Sequence, residues 1–333
     1  LIRFGVIGTN WITDELIASA AAADGFVPTA VCSRTEERAA EFAAKHQIPH
    51  TFTDVEKMAA SGVIDAVYIA SPNALHAEQA ISCMKHGLHV LCEKPAASNA
   101  REFREMAAAA KKHRVVLMEA MKSTVTPNFA AVRENLHKIG TVRRYAASFC
   151  QYSSRYDAYK QGALPNAFNP AFSNGALMDL GTYCIYPMVV LFGKPRGIKA
   201  QAVMLESGVD GQGSILFEYP GMEAAAFYSK IADSPFGGEI QGENGTIVID
   251  KISRMDHVEL RFRGGAGAAI GQDQSPLTMV YEVNEFVRCI RAGKLESDIN
   301  SHAHSEAVLE IMDEARRQIG LVYPADRNGA GDA

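Results

Sequence analysis

A lysine amine is the side chain whose setting in this chain suggests work on protons, and a carboxylate and a phenol are spaced so that they could join it. Lys94 lies in the stretch Gly87-Leu88-His89-Val90-Leu91-Cys92-Glu93-Lys94-Pro95. His89 to Cys92 is a short, mostly apolar run after a glycine, the pattern of a parallel strand buried on both faces. Where such a strand ends in an open α/β sheet, its carboxyl edge opens on the crevice that holds ligands. Lys94 is therefore expected in that crevice. An amine among apolar neighbours has its pKa lowered toward neutrality, which suits it to donate or accept a proton. Asp179 and Tyr183 are four residues apart, so on a helix they share one face. Opposite Lys94 they would form a polar cluster able to hold a hydroxyl group.

The elements that must position these groups begin at the first residues. Ile2 to Ile7 reads as an apolar strand, followed by the turn Gly8-Thr9-Asn10-Trp11-Ile12-Thr13 and a helix through Ala23. Strand, glycine turn and helix is the setting of a dinucleotide fingerprint. Aligned on Gly-x-Gly-x-x-Gly/Ala, Gly8 is first, Asn10 second and Thr13 third. Asn tolerates a left-handed backbone better than other non-glycine residues, so Asn10 is expected to keep the turn.

A second strand, Val27 to Cys32, ends at Ser33-Arg34-Thr35-Glu36-Glu37-Arg38. A free ribose 2′-hydroxyl usually meets Asp or Glu at this tip, and a 2′-phosphate calls for Arg. Arg34 and Arg38, with the Ser33 hydroxyl, point to NADP, with NAD as the alternative. Ser33 and Glu36 also fit a capping box for the helix through Lys45. Asp65 to Ala70 is another buried strand leading into Ser71-Pro72-Asn73, with Asn73 expected to cap a helix to about His86 that carries His76 in its first turn. Asn99 and Glu102 mark the cap of a helix to His113, and Val115 to Glu119 a further strand. Five or six alternations of strand and helix specify a doubly wound parallel sheet.

At 333 residues the chain suits two domains, 1–122 and 123–333. A net charge of −5 gives no cationic footprint for nucleic acid or an anionic membrane, which leaves small-molecule chemistry. No apolar run is read as long enough for a membrane helix, and the N-terminus enters a strand at once, so a cytoplasmic protein is expected. Cys32, Cys83, Cys92, Cys150, Cys184 and Cys289 show no metal or disulfide spacing.

Past Met121 the alternation stops. Val142 to Phe149, Lys199 to Met204, Gly213 to Tyr219, Met222 to Ser229 and Thr246 to Asp250 read as strands, and Glu243-Asn244-Gly245 as a hairpin turn. The expected architecture is an N-terminal Rossmann domain with a doubly wound parallel sheet, then an α+β domain with a large, mostly antiparallel sheet. One face of that sheet should pack on helices, including one starting near Gly175. Leu164 to Pro170 is a breaker-rich loop able to close over a substrate. Met279 to Ala292 and Ser301 to Ile319 are expected helices, and the remainder to Ala333 reads as frayed.

Gly5-Val6-Ile7-Gly8-Thr9, Ala70-Ser71-Pro72-Asn73 with His76, Glu93-Lys94-Pro95 and Gly175-Ala176-Leu177-Met178-Asp179-Leu180-Gly181-Thr182-Tyr183 together resemble the glucose-fructose oxidoreductase / inositol dehydrogenase family over nearly the whole chain. The resemblance implies that Lys94 is the proton-handling lysine beside a nicotinamide. It assigns Tyr183 as proton donor or acceptor and Asp179 as the group orienting the pair. Tyr183, where the family's commoner pattern has His, resembles the dihydrodiol dehydrogenase branch and argues against an inositol substrate. The implied cofactor contacts are Gly8, Thr9, Asn10, Trp11, Ile12, Ser33, Arg34, Arg38, Ser71, Pro72, Asn73, His76, Glu93 and Lys94. Arg155 and Tyr156 are further candidates for the pocket. The implied activity is NAD(P)-dependent hydride transfer between a nicotinamide and a secondary alcohol or ketone of a sugar, polyol or cyclic diol, in a homodimer or higher homo-oligomer. A non-catalytic sensor on the same fold is the alternative.

Overall fold

The computed structural model describes residues 1–327, which group into two compact units, Leu1–Met121 with Ser275–Glu306, and Lys122–Gln274 with the chain from Ala307.

The first unit is built on six parallel strands, β1 (Ile2–Ile7), β2 (Phe26–Cys32), β3 (His50–Phe52), β4 (Ala66–Ile69), β5 (His89–Glu93) and β6 (Leu117–Ala120), in the spatial order β3-β2-β1-β4-β5-β6. The short edge strand β3 is the one the sequence did not announce, since His50 and Thr51 are exposed and give no apolar run. After β3 the chain crosses to the other side of β1, so the order reverses between β1 and β4. The turns that follow these two strands, at Gly8 and Ser71, therefore lie at the topological switch point. Asn99 caps helix Ala100–His113 as expected: its side chain accepts from the Glu102 amide at 3.0 Å, and Glu102 reaches back to the Ser98 amide at 3.0 Å.

Residues 275–306, which the sequence reading placed with the second domain, group with the first. The reason is the apolar stripe of helix Met279–Arg291: Met279, Val283, Phe286, Val287 and Cys289 enter the same core as Phe4, Leu16 and Tyr68. Phe4 stacks on Phe26 at 4.2 Å between ring centroids and meets Phe286 at 5.9 Å. Helical periodicity showed that this stripe wanted a core, but not which one.

The second unit holds an eight-stranded sheet of β7 (Val142–Cys150), β8 (Gly197–Met204), β9 (Asp210–Tyr219), β10 (Met222–Ser229), β11 (Gly238–Gly242), β12 (Gly245–Ile249), β13 (Val258–Phe262) and β14 (Gly267–Ala269), in the order β14-β13-β12-β11-β7-β10-β9-β8. All its pairings are antiparallel except β7 with β10. The Glu243-Asn244-Gly245 turn joins β11 to β12 as its chemistry predicts. Alternation sends Tyr145, Ile215, Phe217, Ala224, Ala226, Tyr228, Ile240 and Ile247 into the core. The stretch Pro170–Phe192 corrects the expectation that no run was long enough for a membrane: by length and composition it is, but 78% of its apolar window is buried inside the fold, as in a core helix. Near the C-terminus, Arg316 pairs with Asp313 and Asp326, both at 2.6 Å, and secures the helical turn Pro324–Arg327. The rest of the tail expected to be frayed lies outside the described residues.

Candidate active site

In the first unit, the turn after β1 departs from its expected geometry in an instructive way. Gly8 has φ +101, and a Cβ there would stand 2.7 Å from the Ala70 carbonyl oxygen, so glycine is required by both conformation and space. Asn10 is not left-handed: at φ −97 and ψ 176 it is the extended N-cap of helix Trp11–Ala20. Its Oδ1 accepts from the amides of Ile12 (3.0 Å) and Thr13 (3.4 Å), and its Nδ2 donates to the Ala70 carbonyl at 2.8 Å. The side chain that replaces the fingerprint's middle glycine folds back onto its own helix and clamps the two switch-point turns together. Thr13, in the third position, is fully buried and donates its hydroxyl to the Gly8 carbonyl at 3.0 Å.

At the tip of β2, Thr35 rather than Ser33 caps helix Glu36–His46, accepting from the Arg38 amide. Ser33 is thereby released, and its Oγ lies 3.2 Å from Thr9 Oγ1. Arg34 and Arg38 are exposed, and among the described residues neither forms an ion pair. Two adjacent hydroxyls, with two exposed guanidiniums carried on the same stretch of chain, supply donors suited to an anion with several oxygens.

Asn73 does not cap a helix as expected: it opens the short 3₁₀ turn Asn73–Leu75, and the α-helix begins at His76. His76 is fully buried. Its Nδ1 lies 3.0 Å from the Pro95 carbonyl oxygen and its Nε2 2.9 Å from that of Ser71. Burial outweighs these two carbonyls and lowers its pKa. The ring is a strut joining the loop after β4 to the loop after β5, not a side chain open to a ligand.

Lys94 directly follows β5 and is half-buried, and the Lys94–Pro95 peptide is cis. Behind it stands a set of buried carboxylates. Glu93 accepts from the Tyr68 hydroxyl. Glu119, paired with Cys92 across β5 and β6, accepts from the Ala96 amide at 3.0 Å. Burial pushes the Glu119 carboxyl up to about 7, against hydrogen bonds from Ser305 and Ala96 and with help from the neighbouring Glu93. The sequence reading had Glu119 only as the end of a strand.

In the second unit, Asp179 and Tyr183 sit where a helix is distorted. Leu177–Gly181 is a π-turn, with hydrogen bonds reaching five residues back, and it runs into the α-helix Thr182–Phe192. Pro187, four residues past Tyr183, has no amide to give the Tyr183 carbonyl. The two glycines of this motif leave little room for a side chain. A Cβ on Gly175 (φ +147) would stand 2.1 Å from Asp210 Oδ1, and one on Gly181 would stand 2.9 Å from Leu177 Cδ1 and 3.1 Å from the Tyr228 ring. Asp210 is fully buried and accepts from the Leu177 amide at 2.7 Å, anchoring the start of the turn, and burial raises its carboxyl to about 6. Tyr183 is buried with its ring edge-on to Phe149 at 5.5 Å. Asp179 is partly exposed and forms an ion pair with Lys230 at 2.8 Å. Lys230 was missed from the sequence, although a signal existed. In β10 the even positions Ala224, Ala226 and Tyr228 point inward, and 230 continues that register with a charge.

Of the weaker candidates, Arg155 is exposed, and Tyr156 belongs to an aromatic cluster with Tyr152, Tyr159 and Phe168. Among the described residues no His, Cys, Asp and Glu group could hold a metal.

Comparison with known proteins agrees with this geometry. Residues 2–121 match the oxidoreductase family with NAD-binding Rossmann fold, and residues 129–248 match the GFO/IDH/MocA C-terminal domain. The chain is 57% identical over 327 residues to scyllo-inositol 2-dehydrogenase (NADP(+)) of Bacillus subtilis, covering 98% of this chain and 100% of that one. It is 32% identical to trans-1,2-dihydrobenzene-1,2-diol dehydrogenase of Mus musculus, covering 98% and 99%. The solved structure of levoglucosan dehydrogenase with NADH and L-sorbose shares the fold, with a TM-score of 0.85 at 21% identity over 96% of each chain. The chain belongs to the GFO/IDH/MocA oxidoreductases and is an NAD(P)-dependent member of that family.

Proposed function

We propose that this protein is an NADP-dependent dehydrogenase of secondary alcohols, acting on a cyclic polyol or a closely related sugar or diol. The observation that carries the cofactor preference is the tip of β2, where Arg34 and Arg38 are uncommitted and no acidic side chain takes the place expected for a 2′-hydroxyl partner. The Gly8 amide donates to the Cys32 carbonyl and those of Ile12 and Thr13 to the Asn10 side chain, which leaves those of Thr9, Asn10 and Trp11 for the pyrophosphate. The close relative named for NADP(+) and scyllo-inositol supports the same reading. The scyllo-inositol named for that relative also weighs against the inference from Tyr183 that disfavoured an inositol-like ring.

The cofactor supplies the hydride chemistry. Lys94 hydrogen-bonds the substrate oxygen, Tyr183 donates or accepts its proton, and Asp179 orients the reacting hydroxyl. Ser71 and Pro72 flank the cofactor at the switch point, and His76 and Glu93 hold the loops from which it is gripped. The outer face of the second unit's sheet, with exposed Val203, Leu216 and Phe227, supports a homodimer formed through that face. Six unpaired cysteines suit a reducing cytoplasm.

Paired fluorescence titrations with NADPH and NADH test the cofactor reading. NADPH should bind about one to two decades tighter, and Arg34→Ala should remove most of that difference. Equal affinities in the parent would refute it. With scyllo-inositol and NADP⁺, Lys94→Ala should lower kcat by about 10²–10⁴-fold with NADPH affinity retained. Turnover within a few-fold of the parent would remove Lys94 from its role.

A further inference from the structure

The partners that the ammonium of Lys230 meets belong to its own unit. Its side chain is 3% exposed. It donates to Asp179 Oδ2 at 2.8 Å and to the Ala167 carbonyl at 3.2 Å, and it lies 5.3 Å from the centroid of the Phe168 ring. The ammonium thus has a carboxylate and a carbonyl as hydrogen-bond acceptors and an aromatic ring within cation–π range. The backbone beneath is equally fixed: the Lys230 amide donates to Gly211, and its carbonyl accepts from Ser153.

The partners of the pair differ sharply in exposure. The side chain of Asp179 is 37% exposed, so the cation is buried and its carboxylate lies at the surface of the unit. A buried ammonium is costly unless paired, and removing one partner of such a pair leaves the other uncompensated. Lys230 therefore fixes which oxygen of Asp179 faces inward. The same ammonium ties that carboxylate to Asn166–Phe168, part of the breaker-rich loop, with Phe168 itself fully buried.

We infer that Lys230 is a positioning residue for the reaction: through its ion pair it sets the orientation of Asp179, and through Ala167 and Phe168 it holds the adjoining loop in register with that carboxylate. The inference rests on the proposed role of Asp179 toward the substrate hydroxyl. Lys230 does not touch substrate or cofactor in this scheme. Its effect on catalysis passes through Asp179 and should disappear when Asp179 is already disabled.

The test is a double-mutant cycle on the intact protein with Lys230→Met and Asp179→Asn, measuring kcat and KM for scyllo-inositol with NADP⁺, and NADPH binding by fluorescence. A charge-assisted hydrogen bond lost from the reacting geometry predicts about a 10- to 100-fold fall in kcat for Lys230→Met, with NADPH affinity within about twofold of the parent. In the Asp179→Asn background, Lys230→Met should lower kcat by less than about threefold. Lys230→Arg retains the charge and should recover part of the loss. It also serves as the reporting variant if Lys230→Met fails to fold, since it must then depress kcat in the Asp179 parent and not in Asp179→Asn. Multiplicative effects in the two backgrounds, or an unchanged kcat in Lys230→Met, would overturn the inference. If Asp179→Asn itself turned over normally, the proposed role of Asp179 would fail first, and that result is distinct from either.

Discussion

Gly175→Ala should be among the most damaging single-methyl additions in this chain, for reasons that can be separated by experiment. At an ordinary site, Gly→Ala stabilises by about 0.4–1 kcal/mol by restricting the unfolded chain. Here the residue has φ +147, a region that side chains avoid, at a cost of roughly 1–3 kcal/mol. The new Cβ would also stand 2.1 Å from Asp210 Oδ1, so the carboxylate must move. Moving it breaks its bond to the Leu177 amide, a charged hydrogen bond of about 1.5–3 kcal/mol. The backbone cannot swing aside cheaply, because the Asn174 carbonyl is held by the Tyr323 hydroxyl at 2.8 Å and the Gly175 carbonyl by the Asp179 amide at 3.2 Å. The total is about 2.5–6 kcal/mol, which for a unit of this size lowers Tm by roughly 5–24 °C. Differential scanning fluorimetry measures it, and a Tm within 2 °C of the parent would refute the reasoning. Asp210→Ala separates the two contributions. With the carboxylate gone, the nearest remaining atom, Val209 Cβ, is at an ordinary 3.5 Å, so Gly175→Ala in that background should cost only the backbone strain, about 1–3 kcal/mol. Equal costs in both backgrounds would show that the contact with Asp210 is not the cause.

Two other predictions follow from groups described above. Glu119 is buried with its carboxyl raised from 4.5 to about 7, so between these values the folded protein holds a proton that the unfolded chain releases, and stability falls as pH rises. The full loss is about 3 kcal/mol. Glu119→Gln, which cannot ionise, should therefore gain that much relative to the parent between pH 4.5 and 7.5 in urea denaturation, and parallel pH curves would contradict the assignment. On the outer sheet face, Leu216 is 59% exposed beside Phe227 on the neighbouring strand, so Leu216→Asp with Phe227→Asp should convert the proposed dimer to monomer in light scattering without unfolding it. An unchanged mass would place the interface elsewhere.

What the sequence made legible was governed by local rules. Continuous apolar runs marked β1, β4 and β5, and Asn99 with Glu102 announced the cap of the following helix to the residue. Strands without an apolar run escaped: β3 is exposed, β14 is Gly267–Ala269 with no buried residue, and β11 begins and ends on glycine. Asn10 was read by its backbone tolerance, whereas its side chain decided the outcome by capping two amides, a choice set by the proximity of the Ala70 carbonyl in a distant turn. Asp179 and Tyr183 could be paired by spacing. The groups that hold the Asp179 turn, Asp210 and Lys230, come from strand ends 30 to 50 residues away, and only the sheet register brings them beneath it. The grouping of Met279–Arg291 with the first core was hidden for the same reason, since periodicity gives a face and not its destination.

The chain contains a single tryptophan, Trp11, and it stands 64% exposed as the first residue of the helix that follows the glycine turn. All indole emission from this protein therefore originates at one known place. In the free protein that emission should be red-shifted, as for an indole in water. A dinucleotide settling on the turn would cover the ring, and a reduced nicotinamide would absorb where the indole emits. Occupancy of the cofactor site can thus be followed without label, in every variant described above, by a reporter the sequence already carries.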